Sequence, residues 1–256
     1  MATYNSFIFE GHGTSERTGG YDPGATSGSI KENDLADKIV TAAMNYLKST
    51  GLSIHRDENN FTDNDLAGNS YTAKAGISVH INAGGGRGTE IYVPAKEKFL
   101  TEDFNLVKNI SGELGIPNRG VKSRDYNSGS TYTRSDGVAL AFTDYYKEIR
   151  DAWSLGISLA IIEVGFIDTS DLQKIQNNID DIGFFIAKYI AKLCDVELSK
   201  PEAPKPVEKP VDNTTTADVY YRVVCGSFKT RANAETRKKE LEAKGYSGVF
   251  IDIYRP

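Results

Sequence analysis

The sequence predicts an α/β fold: a mixed, mostly parallel sheet flanked by helices, followed by a small βαβ module at the C-terminal end. Three observations carry this prediction. Short apolar runs at residues 7–9, 77–81 and 157–164 have the length and the β-branched or aromatic content of buried strands. Between and after them, apolar or small residues recur at helical spacing: Leu35, Ile39, Ala43 and Leu47; then Leu100, Phe104, Val107, Ser111 and Leu114; then Leu172 to Leu193. Finally, four of the eight prolines fall within residues 197–217 among alternating Lys and Glu, an extended, semi-rigid linker that separates residues 1–196 from residues 218–256.

Composition sets limits on function. A chain of 256 residues with 39% hydrophobic content can bury a full core and has room for an appendage. Its net charge of −5 argues against a nucleic-acid partner, which requires a concentrated basic face. Cys194 and Cys225 are too few for a disulfide framework and read as free thiols. No apolar run reaches the roughly 18 residues that a membrane span needs. The N-terminus passes from Met1 straight into the first presumed strand, so no exporting signal is expected and access to an extracellular substrate would come by release, as in lysis.

Taken in order, Phe7-Ile8-Phe9 leads to His12 between Gly11 and Gly13, glycines that let a ligand approach the backbone. A Gly-rich polar loop follows, with Asp22-Pro23-Gly24 as a turn. Glu32 and Asp34 precede the helix that Gly51 stops, and both suit the first turn of a helix. Leu52 to Arg56 reads as a short strand with His55 on the surface, and Asp57 to Tyr71 as a loop with a short helix. In Gly76 to Ala83, Ile77, Val79 and Ile81 alternate with Ser78, His80 and Asn82, which puts His80 on the face opposite the core, near the strand end where open α/β sheets keep their chemistry. Two imidazoles and one carboxylate, with a fourth position left to water, compose a catalytic rather than a structural zinc site. By spacing, Asp34 serves as well as Glu32.

Gly88 to Val93 is the next strand, with Glu90 on its polar face, exposed or hydrogen-bonding behind the site. The helix from Leu100 is closed by Gly115 and Pro117. In the buried strand 157–164, Glu163 is an acid that needs a partner. Asp168 to Asp171 supplies helix-capping chemistry, and Asn177-Asn178 divides the helical pattern that follows.

Four ordered stretches, Gly11-His12-Gly13, Lys31 to Asp34, Ser78 to Ala83 and Ile162 to Phe166, resemble the zinc-dependent N-acetylmuramoyl-L-alanine amidases of the amidase-3 type. The resemblance runs from residue 4 to about residue 195. It implies one zinc per chain bound by His12, Glu32 and His80, with Glu163 as catalytic acid/base and peptidoglycan as substrate. Asn118 to Lys122 also resembles the family, and Asn82 and Arg119 are expected substrate contacts. The chain departs from the family pattern at residues 123–155, an aromatic-rich insertion. There Tyr126 and Tyr132 either stack on the sugar-peptide ligand or pack the loop against the domain. Residues 221–228, 233–235 and 244–246 resemble the first half of a SPOR domain, a peptidoglycan-binding module; a half module of strand, helix and strand suggests a homodimer. Charge differs between the parts, −7 over residues 1–196 and +3 over residues 218–256. By residue types alone a zinc carboxypeptidase fits equally, and a non-catalytic wall-binding protein is the rival from another class.

Overall fold

A computed structural model describes residues 2–15, 18–57, 71–200, 224–246 and 249–252. Two compact units divide the chain, 1–201 and 202–256. The first is built on a seven-stranded sheet. Its strands are β1 (Ser6–Glu10), β2 (Ile54–Asp57), β3 (Ala75–Asn82), β4 (Thr89–Tyr92), β5 (Asn118–Arg124), β6 (Thr131–Thr133) and β7 (Ser158–Phe166). Across the sheet they run β6-β5-β4-β7-β3-β1-β2. Neighbours are parallel except at β4/β7 and β5/β6, so the sheet is mixed and mostly parallel, as predicted.

The helices are α1 (Glu32–Leu47), α2 (Thr101–Leu114), α3 (Lys147–Ser154), α4 (Asp171–Asn177) and α5 (Ile179–Leu193). The break between α4 and α5 falls at Asn178, as the paired asparagines suggest. One sheet face carries Ile8, Ile77, Val79, Ile81, Ile91, Ile162 and Val164, which form the main core with the apolar stripes of α1, α2 and α5. Gly183 permits the close approach of α5 to α1, since a Cβ there would stand 2.5 Å from that of Ala42. Gly115 closes α2 in the left-handed conformation, with φ 55°.

The opposite face is covered less completely. Phe7, Phe9 and Leu159 pack with Ala152 of α3, while Tyr92 and Ile161 pack with Ile149 of the same helix. Beyond α3, this face carries Ser78, His80 and Asn82 of β3, Glu163 of β7 and Glu90 of β4. In register, Glu163 lies beside His80 on one side and Glu90 on the other. The period-2 alternation of a strand thus turns three polar side chains from three adjacent strands to the same face.

Several expectations require correction. In the capping stretch Ser170 makes no side-chain cap, and Thr169 Oγ1 accepts the Asp171 amide at the start of α4 at 3.3 Å. Asp168 instead accepts the Gly84 and Gly85 amides, and Asp171 accepts the Gly88 amide and pairs with Arg87, so both acids order the glycine loop after β3. His55 is half-buried rather than on the surface, stacked on Tyr4 with ring centroids 4.8 Å apart. The short helix expected before Tyr71 lies outside the described residues, whereas Tyr71–Thr72 pairs with Ala2–Thr3. In the second unit the expected helix is α6 (Arg231–Ala243). Its flanking segments carry no strand among the described residues, and the rest of both expected strands lies outside them. No described helix is long and apolar enough to cross a membrane, and both cysteines are free thiols.

Candidate metal centre

His12, Glu32 and His80 come from three separate elements and converge. His12 follows the end of β1 with φ 67°, an uncommon conformation for a residue with a side chain. Gly11 is required there not for a ligand's approach but for a neighbouring side chain: a Cβ on it would lie 2.2 Å from the His80 ring. Gly24 has φ 66°, and a Cβ on it would fall 2.6 Å from both Glu32 Oε2 and His12 Cδ2. The two glycines form a cradle for the three side chains.

Glu32 opens α1 and is buried. Its Oε2 accepts the Ala25 amide at 2.8 Å and its Oε1 the Ile81 amide at 3.0 Å. His80 Nδ1 lies 3.0 Å from Oε1, and His12 Nε2 lies 3.3 Å from Oε2. The other nitrogen of His12, Nδ1, is 2.8 Å from Asp22 Oδ2. This resolves the choice between Glu32 and Asp34, because Asp34 is exposed and faces the Tyr21 hydroxyl at 3.4 Å.

Acidic groups dominate the site's electrostatics. Burial works against an ionised Glu32, but the hydrogen bonds with His12 and His80 hold its carboxyl far below the usual range. Burial likewise works against a charged His80, yet Glu32, Glu163 and Glu148 push its pKa up to about 9. Burial raises the Glu163 carboxyl to about 7, with His80 pulling the other way. Glu148 is raised, again by burial. Four carboxylates, those of Asp22, Glu32, Glu148 and Glu163, surround a pair of imidazoles, and Glu163 Oε2, Glu148 Oε2 and His80 Nε2 are buried without a hydrogen-bond partner.

The donor set fits a metal ion. One ligating atom from each of His12, Glu32 and His80 lies within 4.8 Å of the others, the one such group found among the described residues. The two histidines approach different oxygens of the Glu32 carboxylate, at 3.0 and 3.3 Å. Imidazole and carboxylate are the donors of catalytic zinc sites.

Of the two alternatives for Glu90, the structure has the hydrogen-bonded one: it is 2% accessible and held by Arg119 at 2.5 Å and by Lys122. Asn82 Nδ2 donates to Glu90 Oε1 at 3.2 Å. Asn82 and Arg119 therefore share Glu90, one strand from Glu163, and the Arg119 guanidinium lies over the Phe166 ring. Tyr126 and Tyr132 are exposed on the insertion, Tyr126 beneath the Arg150 guanidinium and Tyr132 against Phe142. The insertion is tied down by Arg134, which is 3% exposed and donates to the Pro94, Glu97 and Val138 carbonyls and to the Ser123 hydroxyl.

Two residues escaped sequence reasoning. Asp22 reads only as a turn former. Glu148 sits in a segment that reads as an aromatic loop, although Ile149 and Ala152 beside it mark a short buried helix face.

Comparison with known proteins identifies the family of each part of the chain. The profile of the amidase-3 family, described as N-acetylmuramoyl-L-alanine amidase, matches residues 7–192. That of the SPOR domain matches residues 216–254. The chain is 26% identical to the sporulation-specific N-acetylmuramoyl-L-alanine amidase of Bacillus subtilis (strain 168), over 96% of this chain and 83% of that protein. It is 28% identical to the endolysin of Bacillus phage SPP1, over 77% of this chain and 71% of that one. The catalytic domain of CwlV, an N-acetylmuramoyl-L-alanine amidase from Bacillus (Paenibacillus) polymyxa var. colistinus, shares the fold with a TM-score of 0.52 at 19% identity, covering 77% of this chain and 100% of that domain. A family match over most of the first unit, on a sheet that brings the motif residues together, shows that the chain belongs to the N-acetylmuramoyl-L-alanine amidases of the amidase-3 family.

Proposed function

We propose that this peptidoglycan amidase is zinc-dependent, with His12, Glu32 and His80 holding the ion and Glu163 moving the proton as the amide between N-acetylmuramic acid and L-alanine is cleaved. The observation that carries this is the convergence of those three side chains, with Glu163 in register beside His80. When bound, zinc supplies Lewis acidity towards water and the substrate carbonyl.

The chain's own residues do the rest. Asp22 fixes the ring of His12 so that Nε2 faces Glu32. Glu163, raised towards neutrality and with Oε2 unpaired, takes a proton from the attacking water and returns it to the leaving L-alanine nitrogen. Asn82 and Arg119, anchored on Glu90 one strand from Glu163, are the polar groups offered to the substrate there, while Tyr126 and Tyr132 offer exposed rings for the glycan or peptide.

Residues 216–254 add wall affinity, in keeping with their SPOR match, and the likeness to a phage endolysin fits action on the wall after lysis. The homodimer through residues 218–256 rests on the sequence alone. Light scattering of the full chain decides it: a dimer supports it and a monomer at ~100 μM ends it.

The bond cleaved is tested by mass spectrometry of digested peptidoglycan. An amidase releases peptides with free L-alanine amino termini and leaves no new reducing sugars. Release of C-terminal D-alanine would instead identify the carboxypeptidase, and binding without products the non-catalytic wall protein.

A further inference from the structure

Each histidine of the site turns one ring nitrogen towards Glu32 and the other towards a second carboxylate, in hydrogen-bond contact at His12 and at a longer distance at His80. His12 turns Nε2 towards Glu32 and Nδ1 onto the Asp22 carboxylate. His80 turns Nδ1 towards Glu32, and its other nitrogen lies 3.9 Å from Glu148 Oε1. That nitrogen, Nε2, is buried and makes no direct hydrogen bond, and Glu148 Oε2 is buried in the same condition.

Glu148 is 6% exposed and is the second residue of α3. Ile149 and Ala152 of that helix are buried against β1, β4 and β7. The carboxylate is therefore fixed by a packed helix, in whose first turn a negative charge is favoured. An imidazole that gives Nδ1 to a cation carries its proton on Nε2, and a buried N–H calls for an acceptor. Among the described residues, Glu148 is the carboxylate paired with Nε2 of His80.

Resting on the zinc reading above, we propose that Glu148 is a positioning residue of the metal site: its carboxylate faces His80 Nε2 and sets the tautomer and ring orientation that leave Nδ1 for the ion. Segment 123–155, where the chain departs from the family pattern, thereby becomes part of the catalytic unit. Glu148 would thereby serve His80 as Asp22 serves His12.

The test is zinc affinity by chelator competition on the full chain, comparing wild type, Glu148→Gln, Glu148→Ala and His80→Ala. Loss of a carboxylate behind a ligating histidine typically weakens metal binding about 10–100-fold. Glu148→Ala is expected to fall in that range. Glu148→Gln should lose less, because its amide oxygen still accepts. In both variants, hydrolysis lost at limiting zinc should return when zinc is added, which a merely structural defect would not allow. If Glu148→Ala fails to fold, as judged by thermal melting, the affinity of Glu148→Gln decides. Affinities within twofold of wild type in the folded variants overturn the proposal, as does tighter zinc binding or faster hydrolysis in Glu148→Ala. If wild type binds no zinc, or His80→Ala binds it as wild type does, the zinc reading itself falls and this proposal with it.

Discussion

Glu163 is the residue whose chemistry is most directly set by its surroundings. A carboxyl between His80 and Glu90 on a buried strand is destabilised in its charged form by lost hydration, which brings its pKa to about 7. A bound cation would draw it lower, so the acid limb of kcat/KM is expected at or below pH 7, where protonation of Glu163 removes the base. Glu163→Gln should lower turnover by about 10²–10⁴-fold and abolish that limb; a pH-rate profile checks both, and near-wild-type turnover would make Glu163 a structural acid. Gly24 offers a second test. Its φ of 66° and the 2.6 Å approach of Glu32 and His12 leave no room for a methyl group, so Gly24→Ala should weaken zinc binding and lower the melting temperature, read by chelator competition and calorimetry. His12, His80 and Glu163 were legible in the sequence because a polar residue at the end of, or inside, an apolar strand is costly without a partner, whereas Glu32 was separated from Asp34 only by the family resemblance. Asp22 and Glu148 were not, because an acid in a loop looks the same whether or not a distant histidine folds against it.

At the scale of elements, β1, β3, β7, α1, α2 and α5 were legible from periodicity. β5 and β6 were not, since they lie at the sheet's edge and only Val121 and Ser123 among their side chains are buried. The antiparallel setting of β4 against β7 leaves no local signal either, although it brings Glu90 next to Glu163. The α2–α5 contact contains a buried pair, in which the Tyr189 hydroxyl donates to Asp103 at 2.9 Å. Burial raises the Asp103 carboxyl to about 7. Between about pH 4 and pH 7 the folded chain keeps a proton that the unfolded chain has released, so this group's contribution favours folding at low pH and is lost as pH rises through that window. Each pKa unit of such a shift corresponds to about 1.4 kcal/mol. Asp103→Asn keeps an acceptor for Tyr189 and cannot titrate. Its stability relative to wild type should therefore rise between pH 5 and pH 8 in urea unfolding, and parallel curves would contradict this.

At the scale of the whole molecule, the chain still packs on the first unit beyond residue 196, since Leu198 is buried and Lys200 pairs with Asp180 and Asp181. A chain cut after Pro201 should hydrolyse soluble muropeptides at the full-length rate and whole walls more slowly. Residues 218–256 carry a charge of +3 and the first unit is acidic, so the difference on an anionic wall should shrink as salt rises. Equal rates on walls at low salt would show that the second unit adds no affinity.

The site described here separates the residues that hold the metal from the residue that moves the proton. Elemental analysis of purified wild type, His80→Ala and Glu163→Gln tests that separation most directly. The expected result is one zinc per chain in wild type and in Glu163→Gln, and little or none in His80→Ala. Full zinc content in His80→Ala, or its loss from Glu163→Gln, would contradict it.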